Sequence, residues 1–321
     1  MRIVVLGSAA GGGFPQWNCA CEGCRRARAG DRQARARTQT SVAVSADDKT
    51  WYLLNASPDI GAQLLRTTCL HPAGNSRHSP IAGVILTGAE VDAMAGLLSL
   101  RERQPFVVYA PASVARTVAA NPVFGVLNPA FVRWEMLSSG QPVVIRTSGP
   151  PAAGSSASLV VEAFAVPGKE PLYLEAATGT GDAIDATAAE RQPDLDQTIG
   201  LAITAVEAGV RMVFVPGCGA INEEVRRRIE GAALLFFDGT VWQDDELATS
   251  NVGTRSGRRM GHVPMWGEGG SIASLDSLNV GRRVFIHMNN TNPVLLSDSA
   301  EHALAREAGW EIAADGAEYQ L

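Results

Sequence analysis

Three cysteines within six residues most strongly constrain how this 321-residue chain can fold. Cys19, Cys21 and Cys24 follow the spacing C-x-C-x-x-C, which is too tight for useful disulfides among themselves. Thiolates at this spacing can instead converge on one tetrahedral Zn²⁺ ion. A strand-like segment (residues 1–6) and a glycine-rich turn (residues 7–13) directly precede them. We therefore expect a structural zinc site, the alternative being three unpaired surface thiols in a reducing compartment.

The spacing does not identify the fourth ligand that a tetrahedral site needs. Cys69, Cys218, or a His or Asn side chain from far along the chain could supply it. A total of five cysteines, three of them clustered, is typical of a reducing compartment rather than of a disulfide framework. The cysteine usage therefore predicts a cytoplasmic protein.

Composition and charge argue against several classes of protein. A formal net charge of −6 disfavours a general nucleic-acid binder or a membrane-surface protein, because both need a basic face. No apolar run is long enough to span a bilayer. The short apolar segment at the N-terminus breaks into glycines, which favours a first strand over a signal peptide. We expect a protein that binds neither nucleic acid nor membrane, although the basic residues 255–259 leave room for a local anionic partner.

The order of elements predicts an α/β fold. Short β-branched or aromatic runs bounded by turn residues are typical of strands, and they cover residues 41–46, 51–55, 81–86, 106–109, 159–166, 200–206, 210–215, 234–237 and 284–287. Helices are expected at residues 57–65, 92–103, 223–229 and 301–308, followed by a last strand pair. Two β-rich halves, each followed by helices, indicate a four-layer αββα sandwich. We expect a single domain over residues 1–321 with a mobile loop around residues 175–197.

Ionisable side chains follow four of the predicted buried strands. They are Glu90 and Asp92, Lys169, Asp238, and His287. Singly, Asp92 could cap its helix and Asp238 could begin an Asx-turn. As a set, they predict one shared cleft with a metal or acid/base site, because loops at strand ends carry function in layered folds.

A basic loop adds a further candidate. Arg258 and Arg259 lie close to His262 in the sequence RRMGH. A lone histidine is more often structural than catalytic. The two neighbouring guanidinium groups nevertheless indicate contact with an anion or a quinone carboxylate.

Longer motifs resemble the pyrroloquinoline quinone (PQQ) biosynthesis protein B family. They are residues 7–13 (GSAAGGG), 15–19 (PQWNC), 54–60 (LNASPDI), 77–80 (RHSP), 259–262 (RMGH) and 287–293 (HMNNTNP). These motifs extend over nearly the whole chain. The family belongs to the metallo-β-lactamase superfamily, so the resemblance also implies the αββα sandwich.

The resemblance implies where the metal ligands of the superfamily would fall. Its H-x-H-x-D-H signature falls on Gly88, Glu90, Asp92 and Ala93, so that only the aspartate is kept. The later positions of the superfamily site fall on Lys169, Asp238 and His287. Ala93 stands where the family usually has a histidine. Too few imidazoles remain for a two-zinc hydrolase.

The resemblance implies a role in the maturation of PQQ from a Glu-Tyr peptide precursor, one proposed reaction being iron-dependent hydroxylation of the tyrosine-derived ring. Asp92 and His287 would supply two iron ligands, with Glu90 or Asp238 as the third. The remaining candidates would act on the substrate: Arg258, Arg259 and Lys169 by neutralising its carboxylates, and His262 as proton donor or orienter.

Two other functions stay open. A non-catalytic carrier of PQQ or its precursor would use the same pocket, and the loss of a histidine at Ala93 favours it. A phosphodiesterase or RNA-processing nuclease of the same fold is disfavoured by the absent histidines and the acidic net charge. Other PQQ biosynthesis proteins are the expected protein partners.

Overall fold

The computed structural model describes residues 1–74, 76–146, 158–171, 173–174 and 197–321. The loop predicted around residues 175–197 lies outside these ranges apart from Gln197. No helix within them is long and apolar enough to cross a bilayer.

In the described part of the chain, the strands form two sheets of seven strands each. The strands are β1 (Arg2–Gly7), β2 (Ser41–Ser45), β3 (Trp51–Leu54), β4 (Ile81–Ile85), β5 (Phe106–Pro111), β6 (Val132–Leu137), β7 (Pro142–Arg146), β8 (Ser158–Ala165), β9 (Ile199–Ala205), β10 (Val210–Val215), β11 (Leu234–Asp238), β12 (Arg282–Ile286), β13 (Trp310–Ile312) and β14 (Glu318–Gln320). The sheet orders are β14-β1-β2-β3-β4-β5-β6 and β13-β12-β11-β10-β9-β8-β7.

Helices and short 3₁₀ turns connect the strands. The α-helices are Glu22–Arg28, Ile60–Arg66, Val91–Met94, Ala112–Ala120, Glu223–Ile229, Glu246–Thr249, Ser271–Leu275 and Ala300–Glu307. The 3₁₀ turns are Thr68–Leu70, Ala95–Leu100, Pro122–Val126, Arg258–Met260 and Pro293–Leu295.

Alternating side chains on the first sheet build two cores, because successive residues of a strand point to opposite faces. Val5 is buried in the core between the sheets, where Phe236 of β11 meets Tyr319 of β14 edge-on, with ring centroids 5.3 Å apart. Leu6 points the other way and packs with Ile60 of the helix that covers this sheet. One face of the first sheet thus packs against the second sheet, and its other face packs against the covering helix.

The outer face of the second sheet is closed by aromatic packing. Trp310 of β13 stacks on Phe285 of β12, with centroids 3.9 Å apart and ring planes 13° apart. The helix Ala300–Glu307 packs against β13 from outside. The four-layer αββα sandwich predicted from the sequence is confirmed.

Some local predictions were wrong for reasons visible in the backbone. The helix expected at residues 57–65 begins instead at Ile60, and the Ser57 hydroxyl donates to Gln63 Oε1 at 3.2 Å. The helix expected at residues 92–103 changes to a 3₁₀ turn after Met94, because the Gly96 amide donates to the Ala56 carbonyl rather than to its own helix.

The chain end also differs from expectation. The last two strands were predicted to pair, but β13 joins the second sheet and β14 joins the first. β9 and β10 form an antiparallel hairpin, with Ala205 opposite Val210. β6 and β7 were not predicted, whereas the remaining strands lie within a few residues of their predicted positions.

Candidate active site

The ends of strands from both sheets meet in one cleft of about 670 Å³. β11 and β12 are parallel neighbours, so Asp238 at the end of one strand and His287 just after the other lie at the same sheet edge. The helix Val91–Met94 brings Asp92 from the first sheet. His262 arrives on the loop that follows the turn Arg258–Met260. The predicted shared cleft therefore unites residues from distant parts of the chain.

Asp92 and His287 form a half-buried pair across the cleft. His287 Nε2 lies 2.9 Å from Asp92 Oδ2. Burial opposes the charge on both groups, but their mutual hydrogen bond and attraction outweigh it. The pKa of Asp92 is therefore lowered and the pKa of His287 is raised. His287 also has a φ of 61°, a left-handed backbone conformation that is uncommon for a histidine.

Asp238 and His262 form a second pair beside the first. His262 Nδ1 lies 2.7 Å from Asp238 Oδ2, and Asp238 is completely buried. The Cys218 amide donates to the same carboxylate at 2.8 Å. The His262 and His287 rings stack with centroids 5.4 Å apart. The two pairs are thus in direct contact.

Thr240 connects the two pairs, and the sequence analysis did not single it out. Its Oγ1 lies 2.9 Å from His287 Nδ1, 3.0 Å from His262 Nδ1 and 2.6 Å from Asp238 Oδ1. Its position two residues after Asp238 was the available signal, since a short polar side chain there turns back onto the strand end. One hydroxyl therefore holds both imidazoles in fixed orientations.

These groups form a donor set suited to a metal ion. Ligand atoms of Asp238, His262 and His287 all lie within 4.8 Å of one another, and Asp92 contacts His287. Two imidazoles with carboxylates are the ligands that non-haem iron prefers. The donor chemistry therefore fits iron.

Lys169 and Glu90 pair with each other on the cleft wall. The Lys169 Nζ lies 3.5 Å from Glu90 Oε1, and Lys169 forms no salt bridge with Asp92 or Asp238. Both aspartates already have histidine partners, whereas Glu90 needs a counter-charge. Burial raises the pKa of Glu90, and Lys169 acts against that shift.

The structure places Arg258 and Arg259 apart from the residues that line the cleft. The Arg258 guanidinium points toward the Gly269 carbonyl, at 3.4 Å, and Arg259 is not among the cleft-lining residues. Arg255 and Met260 of the same segment line the cleft instead. The predicted anion contact of Arg258 and Arg259 thus has no counterpart on the cleft wall within the described residues.

The cysteine cluster lies outside this cleft, beside a polar groove. The Sγ atoms of Cys19, Cys21 and Cys24 lie within 4.8 Å of one another. Among the residues that could complete the cluster, Asn290 is in place, with its Nδ2 3.4 Å from Cys24 Sγ. Cys69 lies in the turn Thr68–Leu70, where it is close to Arg2 and Glu318 rather than to the cluster.

Free thiols in contact fit a zinc ion by their chemistry. All five cysteines lie within the described ranges and are unpaired thiols. Burial raises the pKa of Cys21 to about 12. Burial acts on Cys19 in the same direction, but hydrogen bonds from its neighbours outweigh it and lower its pKa. A metal ion that binds thiolates would stabilise the deprotonated form of these closely spaced thiols.

Comparisons with known proteins agree along the entire chain. The profile of the beta-lactamase superfamily domain matches residues 50–288. Coenzyme PQQ synthesis protein B of Rhodopseudomonas palustris (strain BisB5) is 49% identical over 100% of both chains. The same-named protein of Methylobacterium sp. (strain 4-46) is 48% identical over 98% of each.

A solved structure gives the same result. Zn²⁺-bound PqqB from Methylobacterium extorquens is 45% identical, covers 100% of both chains and superposes with a TM-score of 0.88. Sequence identity, coverage and fold thus agree, and the chain belongs to the coenzyme PQQ synthesis protein B family of the beta-lactamase superfamily.

Proposed function

We propose that this protein acts in PQQ biosynthesis as an iron-dependent hydroxylase of a tyrosine-derived precursor. The observation that carries the proposal is the convergence of two imidazoles and two carboxylates in an open cleft. The cleft volume of about 670 Å³ lies in the range of small-molecule sites. Membership in the PQQ synthesis protein B family supports the pathway.

Asp92 and His287 would hold the iron, with Asp238 as the third ligand. Asp238 is preferred over Glu90, because Glu90 faces the Lys169 ammonium. When bound, iron would supply the activation of O₂ that hydroxylation of an aromatic ring requires. One oxygen atom of O₂ enters the ring as the new hydroxyl group, and an added reductant supplies the two electrons that, with two protons, reduce the other oxygen atom to water.

The protein's own groups would orient the ligands and move a proton. Thr240 Oγ1 holds both imidazoles from the side of their Nδ1 atoms. His262 is held at Nδ1 by Asp238, which leaves Nε2 to donate or accept a proton. Lys169 would offset the negative charge of Glu90 on the cleft wall, so that an anionic substrate can enter the cleft.

The cysteine cluster would hold a separate structural zinc ion. Cys19, Cys21 and Cys24 supply three thiolates, and Asn290 is the candidate for the fourth position. The relative from Methylobacterium extorquens is described as Zn²⁺-bound, which supports zinc in this family.

Single-turnover hydroxylation tests the catalytic proposal. The protein is loaded with Fe²⁺ without oxygen, mixed with L-glutamyl-L-tyrosine and ascorbate as the reductant, and exposed to ¹⁸O₂. Mass spectrometry should find one labelled oxygen in the tyrosine ring, and neither the Zn²⁺-loaded protein nor Asp92→Asn should form this product. Absence of label with iron bound in the cleft would exclude this substrate and reaction.

A carrier is the second candidate, and Ala93 favours it. This alanine lines the cleft next to Asp92, where an imidazole would otherwise strengthen a metal site. A carrier would bind PQQ tightly without changing it and without iron. Calorimetric titration of iron-free protein with PQQ, followed by recovery of unchanged PQQ, distinguishes it from the hydroxylase.

A further inference from the structure

The carboxylates at the cleft all have partners within the protein. Asp92 is hydrogen-bonded to His287, Asp238 is hydrogen-bonded to His262, and Glu90 forms a salt bridge with Lys169. Arg255 also lines the cleft. Within the described ranges, Arg255 forms no salt bridge, so its guanidinium group has no carboxylate partner in the protein.

Backbone contacts fix the segment that carries Arg255 on both sides. The Gly253 amide donates to the Leu247 carbonyl at 3.3 Å, and the Gly257 amide donates to the Asp244 carbonyl at 2.8 Å. Gly257 is tightly packed, because a Cβ there would lie 2.5 Å from Val241 Cγ2. The backbone that carries Arg255 is therefore anchored on both sides, so little backbone entropy is lost when its exposed side chain binds a ligand.

We propose that Arg255 is the site that binds a carboxylate of the ligand at the cleft. The inference rests on the proposed function in one respect, that the ligand is an organic carboxylate rather than an inorganic anion. A planar guanidinium can donate two parallel hydrogen bonds to a carboxylate. This contact orients the ligand so that its other end lies toward the Asp92 and His287 pair.

The neighbouring arginines provide a sharp comparison. Arg258 carries the same charge three residues away, but its guanidinium points toward the Gly269 carbonyl. A general attraction of anions to a basic loop would involve both residues equally. If the carboxylate is instead bound at one specific site, only Arg255 should be required for binding.

Binding to iron-free full-length protein tests the proposal without relying on turnover. The probes are L-glutamyl-L-tyrosine and the same dipeptide with both carboxyl groups converted to amides. Calorimetry measures their Kd values for the wild type and for Arg255→Gln, Arg255→Lys and Arg258→Gln. Arg116→Gln on the helix Ala112–Ala120 is an exposed control that loses the same charge.

We expect Arg255→Gln to weaken dipeptide binding by about 10- to 100-fold, the usual size of a charge-assisted hydrogen bond. Binding of the diamide should not change, and Arg255→Lys should restore part of the affinity. Equal losses in Arg255→Gln and Arg258→Gln would overturn the proposal, as would equal wild-type affinity for the two probes or no binding of the dipeptide. Carboxylate-dependent binding without hydroxylation would contradict the proposed reaction alone.

Discussion

The cysteine cluster and the Asp–His cleft are both candidate metal sites, but they are assembled in opposite ways. The cluster takes its three thiols from one short segment, and one distant residue, Asn290, contacts it. The cleft takes Asp92, Asp238, His262 and His287 from separate segments on two sheets. A local site can be recognised from spacing, whereas a dispersed site depends on the fold being correct first.

The two regions also differ in how closed they are. Cys24 is completely buried and Cys19 nearly so, as expected of a structural site with all positions filled. The cleft is open and lined by Ala93 beside Asp92, so it has room for a ligand and fewer donors than a closed site. We therefore expect the cluster to govern stability and the cleft to govern exchangeable binding.

The largest effect should come from breaking the cluster. Cys21→Ser removes one thiolate, so the protein should lose its zinc and about 4 kcal/mol or more of unfolding free energy. Metal analysis and denaturant unfolding measure both. Cys69→Ser, a half-buried thiol elsewhere, is the matched control. Unchanged zinc content and unchanged stability in Cys21→Ser would refute a structural zinc at this position.

Residues 289–291 join the two regions, and we expect the contact between Thr291 and Glu246 to make the free energy of unfolding depend on pH. Thr291 donates to Glu246, whose pKa burial raises to about 7 from an ordinary 4.5. The folded protein therefore binds this proton more tightly than the unfolded chain does. Its contribution is fully present below the unfolded pKa and is lost as pH rises through the folded pKa, by up to about 3 kcal/mol.

Glu246→Gln keeps the shape of the side chain and removes the titration. The fall in unfolding free energy between about pH 4.5 and 8 should therefore be smaller in this variant than in the wild type. Denaturant unfolding across this window measures the difference, and Glu268→Gln at an exposed site is the control. Parallel pH profiles for Glu246→Gln and the wild type would disprove the assignment.

Replacing the proposed iron ligand His287 should weaken metal binding in the cleft without affecting the cysteine cluster. His287→Asn suits the positive φ better than alanine does and removes the imidazole. We expect Fe²⁺ affinity to fall by about 100-fold, an upper figure for disturbing a metal site, while zinc content stays as in the wild type. His287→Ala should behave alike. Loss of zinc together with iron would mean that one site depends on the other.

Adding a ligand should have the smallest effect and the opposite sign. Ala93→His places an imidazole next to Asp92, so Fe²⁺ affinity should rise by about tenfold if the cleft lacks a donor. Ala93→Gln has a similar size but is a poor ligand, and it controls for packing. Competition with a coloured chelator gives the affinities. No gain over Ala93→Gln would indicate that the three proposed ligands, Asp92, Asp238 and His287, already suffice.

Much of the sandwich could be predicted from sequence, because buried strands leave a strong local pattern. The pairing of β14 with β1 could not, since three residues such as Glu318–Gln320 carry too little pattern to choose between sheets. In the cleft, ionisable residues at strand ends were visible. The contacts of Thr240 with Asp238 and both histidines, and the salt bridge between Lys169 and Glu90, depend on side-chain directions that only the packed structure fixes.

The pairing of β14 with β1 also bears on how the chain folds during synthesis. Ile3 pairs with Tyr319, which follows it by more than 300 residues. Until Tyr319 has been synthesised, that edge of β1 has no native partner and can pair with other chains. Contacts of such long sequence separation also slow folding. We therefore expect the nascent chain to depend on chaperones until β14 has left the ribosome and the first sheet can close.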